Sequence, residues 1–227
     1  MENKISVIIP AYNEEKSIEE VIKISENSKY VDEVIVVNNL SEDNTEELAK
    51  KAGAKVVNCS KKGKGYAMEI GLKEAKNEII VFLDADVHYN KNIIEQLTSP
   101  LIEGNVDFVK STFDRKEGGK VTALVVKPML NILFPDMYKF SEPISGMIAT
   151  KKSLLEKVEF EKDYGVDIGI LLDMIKMHVT IQEVNIGPIE NLSHIGKTTT
   201  TMTNMSTEIM KAILKRRWFI CLIQWYL

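Results

Sequence analysis

Apolar and polar positions follow two alternating patterns along the first hundred residues. Short runs rich in β-branched residues predict buried strands at Ile5–Pro10, Val34–Val37, Lys55–Asn58 and Ile79–Leu83. Between them, helical patterns are predicted over Glu14–Ser28, Ser41–Lys51 and Tyr66–Ala75, with another helix beginning at Asn92. Such alternation predicts an α/β fold: a mostly parallel sheet with helices on both faces.

The pattern loosens after about residue 105. Strands are predicted at Asp107–Thr112 and Val179–Val184, helices at Val121–Leu133 and Val166–Met177, and a turn at Pro143–Gly146 before Met147–Thr150. A polar loop is expected over Gly187–Thr203. No linker separates the halves, so we expect one continuous domain. Residues 1–104 would form its first half, and residues 105–227 would fold back as the other wall of a cleft.

Composition narrows the class of protein. The 227 residues suffice for one large α/β domain, and 44% hydrophobic with 27% charged residues is an ordinary globular composition. The net charge of −4 does not support nucleic-acid binding. Two cysteines are too few for a disulfide framework, and the first residues resemble no signal peptide. We therefore expect a cytoplasmic protein.

The C-terminal segment is basic and then apolar, with Lys215, Arg216 and Arg217 preceding WFICLIQWYL. It is shorter than the roughly 18 apolar residues that span a membrane. Docking on a membrane surface is one interpretation. Packing against its own domain or against a second subunit is the favoured interpretation. The second of these would form a homodimer, and neither involves peripheral membrane contact.

Two aspartates end the apolar run IIVFLDAD. Asp84 and Asp86 fall where the strand leaves the sheet, and open α/β sheets bind ligands in that crevice. Neighbouring carboxylates repel each other unless a positive charge lies between them. Mg²⁺ is commonly bound by one or two carboxylates together with substrate phosphates. The pair therefore indicates a divalent cation carrying a diphosphate, although an ordinary acidic loop would look similar.

Three further polar segments also follow predicted strands: PAYNE at residues 10–14, the Asn38-Asn39 pair, and KKGKG at residues 61–65. Each alone could be a helix cap or a solvated turn. Because the carboxyl ends of parallel strands share one sheet edge, the four together indicate a composite ligand site.

These residues resemble the nucleotide-sugar-binding half of GT-A fold glycosyltransferases, through IIPAYNEE, VVNNLSEDNT, GKGYAM and DAD. The resemblance implies that Mg²⁺ or Mn²⁺ is bound by Asp86, with Lys64 near the base or diphosphate. It implies a donor site made of Pro10, Ala11, Tyr12, Asn13, Glu14, Asn38, Asn39, Lys64, Asp84 and Ala85. Many relatives carry two aspartates at the position of Asn38 and Asn39, so the nucleobase stays open.

The second half resembles glucosyl-3-phosphoglycerate synthases, through GGKVT, EPISGMIA and YGVDIG. These are retaining enzymes that transfer glucose from a nucleoside diphosphate to 3-phosphoglycerate. The resemblance implies an acceptor-phosphate pocket of Gly119, Lys120 and Thr122, with Ser145 and Gly146 on the donor. It implies catalytic roles for Asp86, Asp167 and Lys64. The family commonly has Arg at position 120, Glu at position 167 and an acidic residue at position 147, where this chain has Lys120, Asp167 and Met147. These differences leave a related sugar or acceptor open.

His194 lies in the predicted polar loop. A lone histidine there is more often incidental, but the family carries a metal-binding histidine near the end of its catalytic domain. The resemblance therefore implies His194 as a second metal ligand.

The predicted function is metal-dependent transfer of a hexose, glucose in the favoured case, from an NDP-sugar to a small phosphorylated acid. Two alternatives stay open: an inverting polyprenyl-phosphate glycosyltransferase, and a non-catalytic nucleotide-sugar-binding protein.

Overall fold

A computed structural model describes residues 4–114, 119–135, 139–191 and 198–224, with side chains except at 190, 191 and 218–224. The strands are β1 Ile5–Ala11, β2 Val31–Asn38, β3 Lys55–Asn58, β4 Ile79–Phe82, β5 Val87–His88, β6 Phe108–Asp114, β7 Ile148–Lys151, β8 Ile181–Pro188 and β9 Glu190–Asn191. The helices are α1 Ile18–Glu26, α2 Thr45–Lys51, α3 Lys64–Glu74, α4 Ile93–Ile102, α5 Lys127–Leu133, α6 Lys152–Leu155, α7 Val166–Lys176 and α8 Thr199–Gln224. A π-helical turn, Thr122–Val126, precedes α5.

Seven strands form one sheet in the order β3-β2-β1-β4-β7-β6-β8. Both halves of the chain contribute to it. Only β7 is antiparallel to its neighbours, β4 and β6, and the other pairs run parallel. The short strands β5 and β9 pair separately. The predicted single-domain, mostly parallel α/β fold is confirmed.

Helices cover both faces of the sheet and divide the core in two. One apolar layer joins the sheet to α3, α5, α7 and α8, and the other joins it to α1, α2 and α4. Residues Val166–Leu172 of α7 are buried without interruption, because the apolar side chains of this stretch pack in the core formed by the sheet and the neighbouring helices. No helix in the described part of the chain is long and apolar enough to cross a membrane.

Helix α1 begins four residues later than predicted, at Ile18. The backbone N–H groups of Glu14 and Glu15 donate to Thr45 Oγ1 and an Asp43 carboxylate oxygen, at 2.8 and 3.1 Å. Hydrogen bonds to the next loop therefore hold Glu14 and Glu15 in the turn that faces the sheet edge.

The predicted loop over Gly187–Thr203 is wrong at both ends. Strand β8 extends to Pro188, because it pairs with β6 as far as Asp114, and α8 begins at Thr199. Threonine is a weak helix former, and the hydrogen bonds from the Thr203 and Thr207 hydroxyls to carbonyls four residues earlier, at 2.9 and 2.8 Å, satisfy the hydroxyls without strengthening the helix. Burial of Ile209, Ala212 and Ile213 against α7 stabilises the rest of the helix.

Candidate active site

A cleft of about 680 Å³ opens at the carboxyl ends of the first four strands. Strand β1 lies there between β2 and β4, where the strand order reverses, and α/β sheets bind ligands at that point. The structure brings together most of the predicted site residues along this cleft: Pro10, Ala11, Tyr12, Glu14, Asn39, Lys64, Asp84, Ala85, Asp86, Gly119, Lys120, Thr122 and Asp167.

Lys64 joins the two halves of the chain at the floor of the cleft. Its Nζ lies 2.8 Å from Asp84 Oδ1, after β4, and 2.9 Å from Asp167 Oδ2, on α7. Asp167 Oδ1 is buried and has no hydrogen-bond partner in the described part of the chain. One ammonium is thus shared by two carboxylates, and an acceptor oxygen is left for a ligand.

The charges of this triad depend on one another. Burial alone would lower the pKa of Lys64, but the charges and hydrogen bonds of Asp167 and Asp84 outweigh it and raise the pKa above its usual value. Burial raises the pKa of Asp167, the charge of Lys64 opposes that rise, and the charge of Asp84 adds to it. Lys64 therefore stays protonated while two carboxylates compete for its charge.

Asp86 faces the cleft two residues beyond the triad, with Glu14 on the opposite loop. Burial, and next the negative charge of Asp86, raise the pKa of Glu14 to about 7. This part of the cleft is therefore short of positive charge. A divalent cation would supply the missing positive charge, and carboxylate oxygens are its preferred ligands.

The described residues include no group of three His, Cys, Asp or Glu side chains placed to hold a metal. One or two carboxylates, completed by substrate phosphates and water, are a common ligand set for Mg²⁺. The second predicted ligand, His194, lies outside the described residues.

Asn39 shapes the donor side of the cleft by holding a neighbouring loop. Its Nδ2 donates to the Lys61 carbonyl at 2.7 Å, and its Oδ1 accepts from the Gly63 N–H at 2.8 Å. Lys62 then extends over the Tyr12 ring, 4.2 Å from its centroid, and donates to its hydroxyl at 3.0 Å. The side-chain amide of Asn39 thus fixes the KKGKG loop against the cleft.

Two predicted donor residues support this side from behind and do not line the cleft. Asn38 is buried, and its Nδ2 donates to Asn58 Oδ1 and Glu46 Oε2 at 2.8 and 3.1 Å. Asn13 has a positive φ of 57°, and its Oδ1 accepts from the Glu42 N–H at 2.8 Å. Both amides join neighbouring loops to each other.

Ser145 and Gly146, also predicted on the donor, lie beneath the cleft lining. Ser145 is buried, and its hydroxyl is hydrogen-bonded to that of Ser111. A Cβ on Gly146 would overlap Lys64 Nζ and lie 2.6 Å from Asp84 Oδ1. The glycine is therefore required by close packing of the backbone against the triad.

The predicted acceptor residues lie on the facing wall. Gly119, Lys120 and Thr122 line the cleft where the π-helical turn begins. Thr122 is buried and Lys120 is exposed, so the hydroxyl is held by the fold while the ammonium extends from it.

Several cleft residues were not predicted from the sequence. They are Ala67, Val121, Asp163, Tyr164, Thr201, Met202, Asn204 and Met205. Asp163 caps α3, since its Oδ1 accepts the Lys64 N–H at 3.1 Å, and its position just before the YGVDIG motif was the available signal. The four residues of α8 gave no such signal, because Thr201 and Met202 fall within the predicted loop and Asn204 and Met205 belong to no motif.

The family model for glycosyl transferase family 2 matches residues 6–159. The chain belongs to this family. A glucosyl-3-phosphoglycerate synthase of Petrotoga mobilis is 31% identical over 240 residues, which cover 94% of this chain and 73% of that protein.

Solved structures extend this family 2 relationship to the whole fold. The crystal structure of glucosyl-3-phosphoglycerate synthase from Mycobacterium tuberculosis with Mn²⁺, UDP-glucose and phosphoglyceric acid matches with a TM-score of 0.88 and 33% identity. The match covers 95% of this chain and 80% of that one. Another structure of that enzyme, with Mg²⁺ and UDP, has a TM-score of 0.87 and 33% identity, and the match covers 94% and 79% of the two chains.

These similarities confirm the GT-A fold and the resemblance to glucosyl-3-phosphoglycerate synthases. This family 2 protein is a glycosyltransferase. The relatives' structures with Mn²⁺ or Mg²⁺ also confirm the predicted class of cofactor.

Proposed function

We propose that this glycosyltransferase moves glucose from a nucleoside diphosphate to 3-phosphoglycerate, with retention at the anomeric carbon. One observation carries the proposal. A single cleft joins Asp86 and the Lys64–Asp84–Asp167 triad, on one side, to Lys120 and Thr122 on the other. A carboxylate such as Asp86 suits a metal-bound diphosphate, and the ammonium of Lys120 with the hydroxyl of Thr122 suits the phosphate of an acceptor.

The first half of the chain, residues 1–104, would bind the donor. The edge made by Pro10, Ala11 and Tyr12 would receive the nucleoside, with Lys62 beside the Tyr12 ring. Asp86 would hold the cation, with His194 as the second protein ligand implied by the resemblance. When bound there, the cation would supply Lewis-acid stabilisation of the diphosphate leaving group.

The second half, residues 105–227, would bind the acceptor and close the site. The Lys120 ammonium supplies charge, Thr122 a hydroxyl, and Gly119 an accessible backbone N–H, which together suit a phosphate. Asp167 would accept a hydroxyl of the sugar or the acceptor through Oδ1, the oxygen without a protein partner. Lys64 fixes the orientation of that carboxylate through Oδ2.

Transfer would proceed on one face of the sugar. The bond from the anomeric carbon to the diphosphate breaks with its electron pair on the diphosphate, and the acceptor hydroxyl oxygen attacks from the same side. Its proton passes to the departing phosphate oxygen, so no protein nucleophile is required. Positioning by the triad would then account for much of the rate.

A panel experiment tests the proposal. The protein is incubated with 3-phosphoglycerate, with Mg²⁺ or Mn²⁺, and with a donor in which glucose or mannose is linked to UDP, GDP or ADP. The products are identified by mass spectrometry. We expect glucosyl-3-phosphoglycerate, with the α-anomeric configuration by NMR if the donor is α-linked. No product from any donor with 3-phosphoglycerate contradicts the proposal.

A polyprenyl-phosphate acceptor is the second candidate. Leu124 and Ile132 are 75% and 77% exposed on the helical segment that follows the proposed acceptor loop. These two exposed apolar side chains next to the acceptor loop are the observation that favours a lipid acceptor. The same panel with polyprenyl phosphate in detergent distinguishes the two, because only the second candidate yields a lipid-linked sugar.

The homodimer, the cytoplasmic location and the lack of nucleic-acid and membrane partners stay predictions. Sedimentation of the purified protein tests the homodimer, and sedimentation with vesicles tests the lack of membrane contact.

A further inference from the structure

Beneath the triad lies a second buried lysine that the proposed mechanism does not use. Lys110 is fully buried in the middle of β6, between Ile148 of β7 and Glu183 of β8. Its Nζ donates to the Ser145 carbonyl at 2.7 Å. A buried cation is costly unless other groups compensate its charge, so its presence here requires a reason.

Lys110 and the next residue of β6, Ser111, both form hydrogen bonds with Ser145. The Ser111 hydroxyl is hydrogen-bonded to the Ser145 hydroxyl, and the Ser111 N–H donates to the Met147 carbonyl at 3.0 Å. Consecutive side chains of a strand leave on opposite faces, so Ser145 is held from two sides. The backbone between Ser145 and Met147 is therefore fixed on β6.

That stretch of backbone contains Gly146, which packs directly against the triad. A Cβ at this position would overlap Lys64 Nζ and lie 3.2 Å from Asp167 Oδ1. Movement of the Ser145 carbonyl would therefore carry the glycine into or away from the ammonium and the carboxylate that the proposed transfer requires.

The charged groups that act on Lys110 include all three members of the triad. The groups that act on it are Asp167 on α7, Lys64 on α3, Glu183 on β8 and Asp84 after β4. Burial lowers the pKa of Lys110 to about 8, and the charge of Asp167 opposes that decrease. Two carboxylates, Asp84 and Asp167, thus face two lysines.

We propose that Lys110 is a positioning residue for transfer: it fixes the Ser145 carbonyl and, through Gly146, the arrangement of Lys64 and Asp167. This role rests on the proposed function for its effect on catalysis. It does not require Lys110 to touch a substrate.

Lys110→Met tests the role, since methionine keeps most of the side-chain volume and removes both the charge and the hydrogen bond to the Ser145 carbonyl. Thermal unfolding checks that the variant folds, because removing one charge from a buried set of charges is destabilising. Lys152→Met is the matched control, because the Lys152 Nζ also donates to a carbonyl, that of Ala75, at 2.7 Å, away from the cleft. Lys110→Gln keeps a hydrogen-bond donor without the charge and provides a second variant.

Glycine-selective ¹⁵N labelling gives a readout that needs no substrate, since the chain has 12 glycines. We expect the Gly146 amide resonance to move in Lys110→Met and to stay in place in Lys152→Met. With the donor identified by the panel, we expect kcat to fall roughly tenfold to a hundredfold while the donor KM changes less than about threefold.

Partial recovery of kcat in Lys110→Gln would support the hydrogen bond as the positioning contact. An unmoved Gly146 resonance, or a kcat of Lys110→Met within about twofold of wild type, would overturn the proposal. If the wild-type protein transfers no sugar from any donor, the proposed function fails, and the glycine spectra alone decide whether Lys110 positions the triad.

Discussion

The two walls of the cleft are built in different ways. The donor wall consists of loops that hydrogen-bond to one another: Asn39 to Lys61 and Gly63, and the Glu14 N–H to Thr45. The acceptor wall consists of helices that pack together, with Val126 buried beside Ile209 and Ala212 of α8 in the same core. One wall is therefore fixed by local polar contacts at strand ends, and the other by apolar packing between distant segments.

The walls meet at one lysine. Lys64 belongs to the donor wall and pairs with Asp84 within it, but its second carboxylate, Asp167, comes from α7, 103 residues along the chain. These loop-to-loop hydrogen bonds of the donor wall lie within the first half of the chain, whereas the charge balance of the triad requires both halves.

The largest effect is expected on the donor wall, from Asp86→Ala. Removing the proposed metal ligand should lower transfer at least about a thousandfold, because stabilisation of the leaving group amounts to several kcal/mol. Product formation by mass spectrometry and thermal unfolding measure activity and fold. Asp32→Ala, at the opposite end of β2 in exposed ion pairs, is the control. Full activity of Asp86→Ala would exclude the metal role of this residue.

Lys64→Met should break the contact between the walls. It leaves Asp84 and Asp167 close together without their ammonium, and breaking a buried pair typically costs about 3 kcal/mol of unfolding free energy. Urea unfolding measures the loss, and we expect Asp167→Asn in the same chain to recover most of it without recovering activity. A double variant as unstable as the single one would show that the pair does not join the walls.

A smaller, selective effect is expected on the acceptor wall. Lys120→Ala should raise the KM for 3-phosphoglycerate about tenfold to a hundredfold and leave the donor KM unchanged, since it removes a charge-assisted hydrogen bond. Lys120→Arg should preserve binding, and Lys127→Ala, exposed on α5, is the control. An equal rise in both KM values would contradict the division between the walls.

The smallest effect concerns the pH dependence of the donor wall. The folded-state pKa of Glu14 is raised to about 7 from 4.5, so the folded protein binds more protons than the unfolded chain between these values. Stability should therefore fall as pH rises from about 4.5 to 7, by no more than about 1 kcal/mol given solvent screening. Urea unfolding across this range should show a flatter profile for Glu14→Gln, and identical profiles would contradict the prediction.

The fold class and much of the donor wall follow from local patterns in the sequence. The apolar runs that end at Ala11, Asn38 and Phe82 are local, and parallel strands bring their carboxyl ends to one edge whatever follows. For that reason Asp84, Asp86 and Lys64 could be placed at one site from their neighbours in the chain alone. Even there, the burial of Asn38 behind the cleft depended on Asn58 and Glu46, which no motif connects to it.

The acceptor wall, in contrast, depends on how distant segments of the chain pack together. The threonines and methionines of residues 199–205 have a weak helical pattern, and packing of α8 on α7 makes them a helix that lines the cleft. Lys110 likewise has no special sequence context, and only the approach of β7 and its loop places its ammonium under Ser145. Contacts between residues distant in the chain depend on how helices and strands pack, and packing is a property of the assembled core.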